Sequence, residues 1–463
     1  MASPFTINNH VALASEMMGM RLKLNRGNYD LLKRLCYEEW ESCKNEVTRR
    51  VGGEINVGSS KQVQTFLYQE LGLKPKFKRD KNGIRRLTAD ENALRELRVE
   101  APKHGELLNA FIKERHIKKK IESYIEIRFD EDGYIPYSAN PAGTETNRWS
   151  FSKSPRDRGL NAQTMPKVLR LMADAPPGRV FICPDLPQAD ARIVAWDAKC
   201  ERLIELFNDP SKHFHLENCW RFAQQPGNPF SKLTKEQIYD PYFRSENPLY
   251  VTGKALGHAA NYRMAAKRLA MELGCSITEA TTLLDMYLHR LYPEIERWHF
   301  SIRDRIRRDG GLTTPGPFRR RRVFYAAWAG FMLYGKMSVT QWNEACAEIP
   351  QSAVADIVNV GMERLWLEKD YVRFHKHDHD SYLASVPVDR LGEASDSALR
   401  TLRVTLHIHD RPLEMIPEMQ YGVNYGALVE WKGEAAPDMG KLEGAMGKKL
   451  VEKRMRNDLY GYY

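Results

Sequence analysis

Over residues 1–128, apolar positions recur mostly at helical spacing. The run YDLLKRLCYEEWESCKNEVTRRV predicts a long amphipathic helix over 29–51. A second helix, with Val63, Phe66, Leu67 and Leu71 on one face, begins after Ser60, and Ser59 or Ser60 can cap it. A third follows Thr88 and Asp90, and a basic one is predicted over 104–125. From 129 the pattern shortens: DGYIPYSAN, RWSFS and RVFICPD read as strands, the last ending on an acid. Helical patterns dominate 188–310, and GGLTTPGPFRRRRVFYAAWAG reads as a Gly/Pro-rich turn and hairpin region. A long helix is predicted over 336–368. Two β-like runs, YVRFHK and SYLASVP, then flank the polar turn HDHD, followed by a helix over 389–404 and a strand pair over 413–429. The tail, 432–463, is rich in Lys and Gly and weakly helical, and no internal repeat or low-complexity tract occurs. The expected fold class is α+β: a helical arm, a centre assembled from separated segments, and a large helical insertion.

With 463 residues, 42% hydrophobic and 28% charged, the chain can build a real core in one multilobed body or roughly two to three domains. No run approaches the ~20 apolar residues of a membrane span. The start, MASPFTINNH, has neither the basic nor the apolar region of a secretion signal. The seven cysteines (36, 43, 183, 200, 219, 275 and 346) form no CxxC pair. They suit reduced thiols and argue against a zinc site, so a cytoplasmic location is expected, a host's cytoplasm if the chain is viral. The formal charge is +10, from 70 Lys+Arg against 60 Asp+Glu. Basic clusters lie at KPKFKRDKNGIRR (74–86), RHIKKK (115–120), RDRIRRD (303–309) and FRRRR (318–322). Each can follow a phosphate backbone and release counterions, although solvated helix faces would look the same.

Two acids stand out by context. Asp185 ends the apolar run RVFICP, and Asp380 sits in the turn between two β-like runs. Each alone reads equally as a turn or capping residue. Together, acids at strand ends can converge on one site and hold two Mg²⁺ about 3.5–4 Å apart for in-line phosphoryl transfer.

Further segments point the same way. DLPQADAR (185–192) is similar to DYSQIELR, the first catalytic motif of family A DNA polymerases, the bacterial polymerase I class; Asp185, Gln188 and Arg192 match. HDSYLASVP (379–387) resembles the third motif, with His379 and Asp380 matching, a register that favours Asp380 over Asp378 as metal ligand. KALGHAANY (254–262) resembles the second motif through Lys254, His258 and Tyr262. TNRWSFS…NAQTMP matches TGRLSS…NLQNIP at Arg148, Asn161 and Gln163. HFH (213–215) aligns His215 with the family's DxH, and IPQSAVADI aligns Gln351 with PIQGTAADI. NVGSSKQV and the basic helix near 115–125 are similar to the family's thumb, and YGVNYG (421–426) to its closing segment. These motifs fall in the family's order over most of the chain.

The resemblance implies a right-hand polymerase with an antiparallel-sheet palm, helical fingers and a helical thumb. Expected boundaries are 1–128 for N-terminal helices and thumb, 129–200 and 336–431 for the palm, 201–335 for the fingers, and 432–463 for a tail. It implies primer–template DNA and deoxynucleoside triphosphates as partners, in a monomer, with a 3′→5′ exonuclease or other replication proteins supplied separately. Asp185 and Asp380 would hold two Mg²⁺, for which Mn²⁺ can substitute. Lys254 would be catalytic as well, lying along the triphosphate, with His215, Tyr262, His258, Asp190 and Gln188 around the nucleotide. Arg148, Asn161, Gln163, Arg192, Gln351 and His379 would contact DNA, in part through minor-groove acceptors that all base pairs share. A solvated lysine, a satisfied histidine and ordinary hydrogen-bonded glutamines are the plainer readings of Lys254, His215, Gln163 and Gln351.

The chain also departs from the family. Ser381 and Asp190 replace glutamates, Tyr250 an arginine, Arg263 a glycine, and Asn343 and Ala347 an arginine and an asparagine. Asp190 is one methylene short of the family's glutamate, so a shifted or gapped contact with Tyr262 and looser selection of the sugar are expected, the plainer alternative being a backbone shift that restores the contact. Two competing functions are a catalytically inactive DNA-binding descendant and a single-subunit RNA polymerase, which carries Gly where this chain has Asp190. A compact module with drifted motifs fits a phage or mobile-element replication enzyme.

Overall fold

The computed structural model describes residues 7–155, 157–240, 243, 247–448 and 451–455. The first six residues and the end of the expected tail lie outside the described residues.

The arm begins with helices α1 (Ile7–Met20) and α2 (Arg26–Val51). Asn25 caps α2 through a bond from the Asn28 N–H, and Gly52, at φ 77°, closes it in the left-handed conformation. Ser59 is the cap of the predicted second helix, Ser60–Gln64, which continues as a wider turn to Glu70. Asp90 caps α3 (Glu91–Glu100), and α4 (Gly105–Lys120) follows and packs on α2. The basic run at 74–86 belongs to a hairpin, Lys76–Arg79 with Arg85–Thr88, an element that the mostly helical reading of the arm did not include. Alternating Lys and Arg hid a strand period that apolar spacing could not reveal; Asn82-Gly83 sits in its turn. Val47, Phe66, Leu94, Leu108 and Phe111 are among the residues of a small core that the arm builds for itself.

The main core surrounds a five-stranded antiparallel sheet. Its strands, in chain order, are β1 (Arg179–Asp185), β2 (Arg373–His377), β3 (Tyr382–Pro387), β4 (Glu418–Gly422) and β5 (Val429–Glu430). The spatial order is β2-β3-β1-β4-β5. β1 lies at the centre, with Val180, Phe181 and Ile182 fully buried, which explains its unbroken apolar run. Between β1 and β2 the chain forms α5 (Ala189–Asp197), α6 (Phe214–Ala223), α7 (Pro248–Asn261), α8 (Pro293–Asp309) and α9 (Val339–Glu368). α9 opens with a reciprocal Ser338–Gln341 capping box and packs against α5 and α10 (Leu391–Leu402).

Two local readings change. In the region read as turn and hairpin, only Gly311–Thr313 and Arg321–Val323 pair, and Tyr325–Tyr334 is a helix. After α10, the hairpin Val404–Ile408/Arg411–Met415 precedes β4, so two strand pairs replace the one expected over 413–429. The tail contains a short helix, Met439–Met446. No helix among the described residues is long and apolar enough to cross a membrane.

Candidate active site

Sheet register brings the two acids together. Asp185 ends β1 opposite Ser381, and the Leu186 N–H donates to the Asp380 carbonyl at 2.9 Å. Asp185 is half-buried. Burial raises its pKa, and the charges of Asp380, Glu418 and Asp378 raise it further, while a Ser381 hydrogen bond opposes them. Asp380 reaches solvent at the turn, but crowding by protein, together with Asp378, raises its pKa as well. Like charge therefore accumulates around two hard oxygen donors, which suits a divalent cation. Among the described residues no set of three His, Cys, Asp or Glu side chains clusters to hold a metal. The two aspartates would thus need substrate or water oxygens to complete a coordination shell.

Asp378 lies in the same cluster but is held by an ion pair. Lys376, fully buried, donates to its Oδ2 at 2.8 Å and to the Tyr425 hydroxyl at 2.7 Å. With Asp185, Ser381, Glu418 and Arg170, Asp378 lines a cavity of about 370 Å³.

A neighbouring cavity of about 310 Å³ gathers the residues expected around a nucleotide. Gln188 and Asp190 enter it from the start of α5, His215 from α6, Lys254, His258 and Tyr262 from α7, Arg148 from a loop, and His379 and Asp380 from the turn between β2 and β3. Lys254, His258 and Tyr262 share a face because they are spaced four apart on α7 and its cap. The Tyr262 hydroxyl donates to Asp190 Oδ2 at 2.8 Å, and Arg148 Nη2 donates to the same oxygen at 3.3 Å. Of the two outcomes expected for the shortened acid, the contact is the one present. His258 meets the Tyr262 ring edge to face, 4.7 Å between centroids. Arg148 Nε is buried with no hydrogen-bond partner among the described residues. His258 and His379 reach solvent, but crowding by surrounding protein lowers the pKa of both, so both favour the neutral ring.

Five predicted residues do not line this cavity, and one of them, Asp185, lines the neighbouring 370 Å³ cavity instead. Asn161 caps the turn Ala162–Thr164 and donates to the Phe151 carbonyl at 2.7 Å. Gln163 Nε2 donates to the carbonyls of Trp149 and His377 at 3.1 and 3.3 Å. Arg192 turns to the Phe207 carbonyl at 3.3 Å, its guanidinium 5.0 Å from that ring. Gln351 hydrogen-bonds the Tyr262 side chain. The sequence reading missed Phe214, Gly257 and Asn261, which line the cavity beside His215, His258 and Tyr262; their adjacency was the only signal.

The family model for DNA polymerase family A matches residues 29–426, well over half of the chain. The chain belongs to DNA polymerase family A. It is 26% identical to the thermostable DNA polymerase I of Thermus filiformis over 413 residues, covering 86% of this chain and 45% of that protein. To DNA polymerase I of Borreliella burgdorferi it is 26% identical over 408 residues, covering 84% and 40%. The chain thus spans less than half the length of these curated family A relatives. Among solved structures, it superposes on the POL domain of Pol1 from M. smegmatis, in complex with DNA primer-template and dNTP, with a TM-score of 0.68. That match covers 91% of this chain and 70% of that one at 21% identity, and shows the right-hand fold with its antiparallel-sheet palm.

Proposed function

We propose that this chain is a DNA-directed DNA polymerase that extends a primer 3′ end with deoxynucleoside triphosphates. The observation that carries the reading is the 310 Å³ cavity, where Lys254, His215, Tyr262 and Asp190 meet Asp380 from segments far apart in sequence. The proposed parts are a thumb within 1–128, a palm formed by 129–200 and 336–431, fingers over 201–335 and a tail from 432.

Asp185 and Asp380 would hold two Mg²⁺ between them. When bound, the ions would neutralise charge on the triphosphate and favour ionisation of the primer hydroxyl. The residues do the rest. Lys254 and His215 line the cavity on its helical side and would take the triphosphate oxygens, Lys254 as a point charge able to give a proton to the leaving pyrophosphate. Tyr262 and Asp190, joined at 2.8 Å, wall the place of the sugar. Arg148, with an unused buried N–H, would take an acceptor of the primer–template pair. Asn161 and Gln163 would act on DNA only indirectly, by shaping the loop that carries Arg148.

The test is primer extension with Mg²⁺ and the four deoxynucleotides by the purified chain. Extension that tracks the protein and fails without divalent cation supports the reading; tight primer–template binding with no extension would leave an inactive DNA-binding protein. We propose further that these residues carry no 3′→5′ exonuclease activity, so a mismatched primer incubated with Mg²⁺ alone should keep its length.

A further inference from the structure

Helix α7 ends at the cavity in a tight cap. The Arg263 N–H donates to the Ala260 carbonyl at 3.3 Å and the Met264 N–H to the Ala259 carbonyl at 2.8 Å, the paired bonds of a Schellman motif. The motif sets Arg263 at φ 56°, in the left-handed region that favours glycine. A side chain is retained there against local preference, and its contacts are specific. The guanidinium carbon lies 3.3 Å from the centre of the Trp342 ring, and Nη1 donates to Asn343 Oδ1 at 3.0 Å. Trp342 is itself fixed, because its indole N–H donates to the His299 carbonyl at 2.9 Å. His299 Nε2 in turn lies 3.1 Å from the Asn261 carbonyl. Burial lowers the pKa of His299 to about 4, so the ring is neutral and donates that bond. The two residues flanking Tyr262 are therefore both tethered to Trp342, Arg263 directly and Asn261 through His299. Between the tethers stands the tyrosine whose hydroxyl meets Asp190.

We propose that Arg263 is a positioning residue for substrate selection: by clamping the end of α7 to Trp342 and Asn343 it fixes Tyr262 and so sets the space offered to the nucleotide sugar. The proposal rests on the reading that this cavity takes a nucleotide. Stability of the cap alone does not account for an arginine, since glycine would adopt the same backbone with less strain.

Arg263→Gly and Arg263→Asn both suit the left-handed cap and remove the clamp. Their melting temperatures should stay within about 5 °C of the parent. In single-nucleotide incorporation, KM for a deoxynucleotide should rise about fivefold with kcat within about twofold, and preference for deoxy- over ribonucleotides should fall about three- to tenfold. Arg263→Lys, which keeps a cation but not the planar stack, should fall between. Parental KM and sugar preference in both cap-compatible variants would overturn the proposal. So would a large drop in melting temperature with a matching loss of kcat, which marks a purely structural role. If the parent itself incorporates no nucleotide, the reading of the cavity fails; if the parent incorporates and the variants behave like it, only the role of Arg263 fails.

Discussion

Lengthening Asp190 to glutamate should not sharpen rejection of ribonucleotides. Tyr262 already donates to Asp190 Oδ2 at 2.8 Å, and Arg148 reaches the same oxygen at 3.3 Å, so no gap awaits the extra methylene. A glutamate carboxylate would have to fold back or push Tyr262 by about 1.5 Å, the length of one carbon–carbon bond. Asp190→Glu is therefore expected to hold its sugar preference within about threefold of the parent, with a raised KM. The complementary change, Tyr262→Phe, removes one hydrogen bond to a charged acceptor, ~1.5–3 kcal/mol in a dry site. The Asp190 side chain is 29% exposed, so water replaces part of the bond and ~1–1.5 kcal/mol remains. At 1.36 kcal/mol per tenfold, that is a loss of about 5- to 13-fold in sugar discrimination. Single-turnover incorporation of ribo- and deoxynucleotides by the parent and both variants, with melting curves as a folding check, measures these ratios. A glutamate variant that rejects ribonucleotides more than tenfold better than the parent would refute the claim that Asp190 already closes this wall.

Asp185→Ala and Asp380→Ala should each abolish extension while primer–template affinity, carried mostly by Lys and Arg on phosphates, stays within about threefold and falls steeply with salt; substantial extension by either variant removes that aspartate from the metal site. Ser381→Glu places a further carboxylate beside Asp185, Asp378 and Glu418, so melting without divalent cation should occur several degrees below the parent, with much of the loss recovered in Mg²⁺. A Mg²⁺ response equal to the parent's would count against cation binding there. Stability should also fall on mild acidification. His299 and His375 are pulled from 6.5 to about 4, and His377 to about 3, by burial. Because the unfolded chain protonates them first, their contribution is complete above pH 6.5 and is lost as pH falls toward 4, about 2 kcal/mol per histidine between pH 6.5 and 5. Urea denaturation across that range checks the slope, and His375→Asn should flatten it.

Much of this protein was legible in one dimension. The α2 helix, the capped start of α9 and the apolar strand ending on Asp185 follow from periodicity and capping, which are local properties. Motif spacing likewise put Lys254, His258 and Tyr262 on one helical face. The basic hairpin at 76–88 and the helix at 325–334 were not legible, since one hides its period under charge and the other is apolar all round. Contacts between distant residues were beyond the sequence for a different reason. The Tyr262–Asp190 bond depends on how α7 sits against α5, and a shift of one ångström would break it. The same packing turned Arg192 toward Phe207 and laid Arg263 on Trp342, although nothing in the local sequence distinguishes these arginines from solvated ones. Sequence selects which side chains a helix face carries; the angle and separation of two packed helices decide which of them meet.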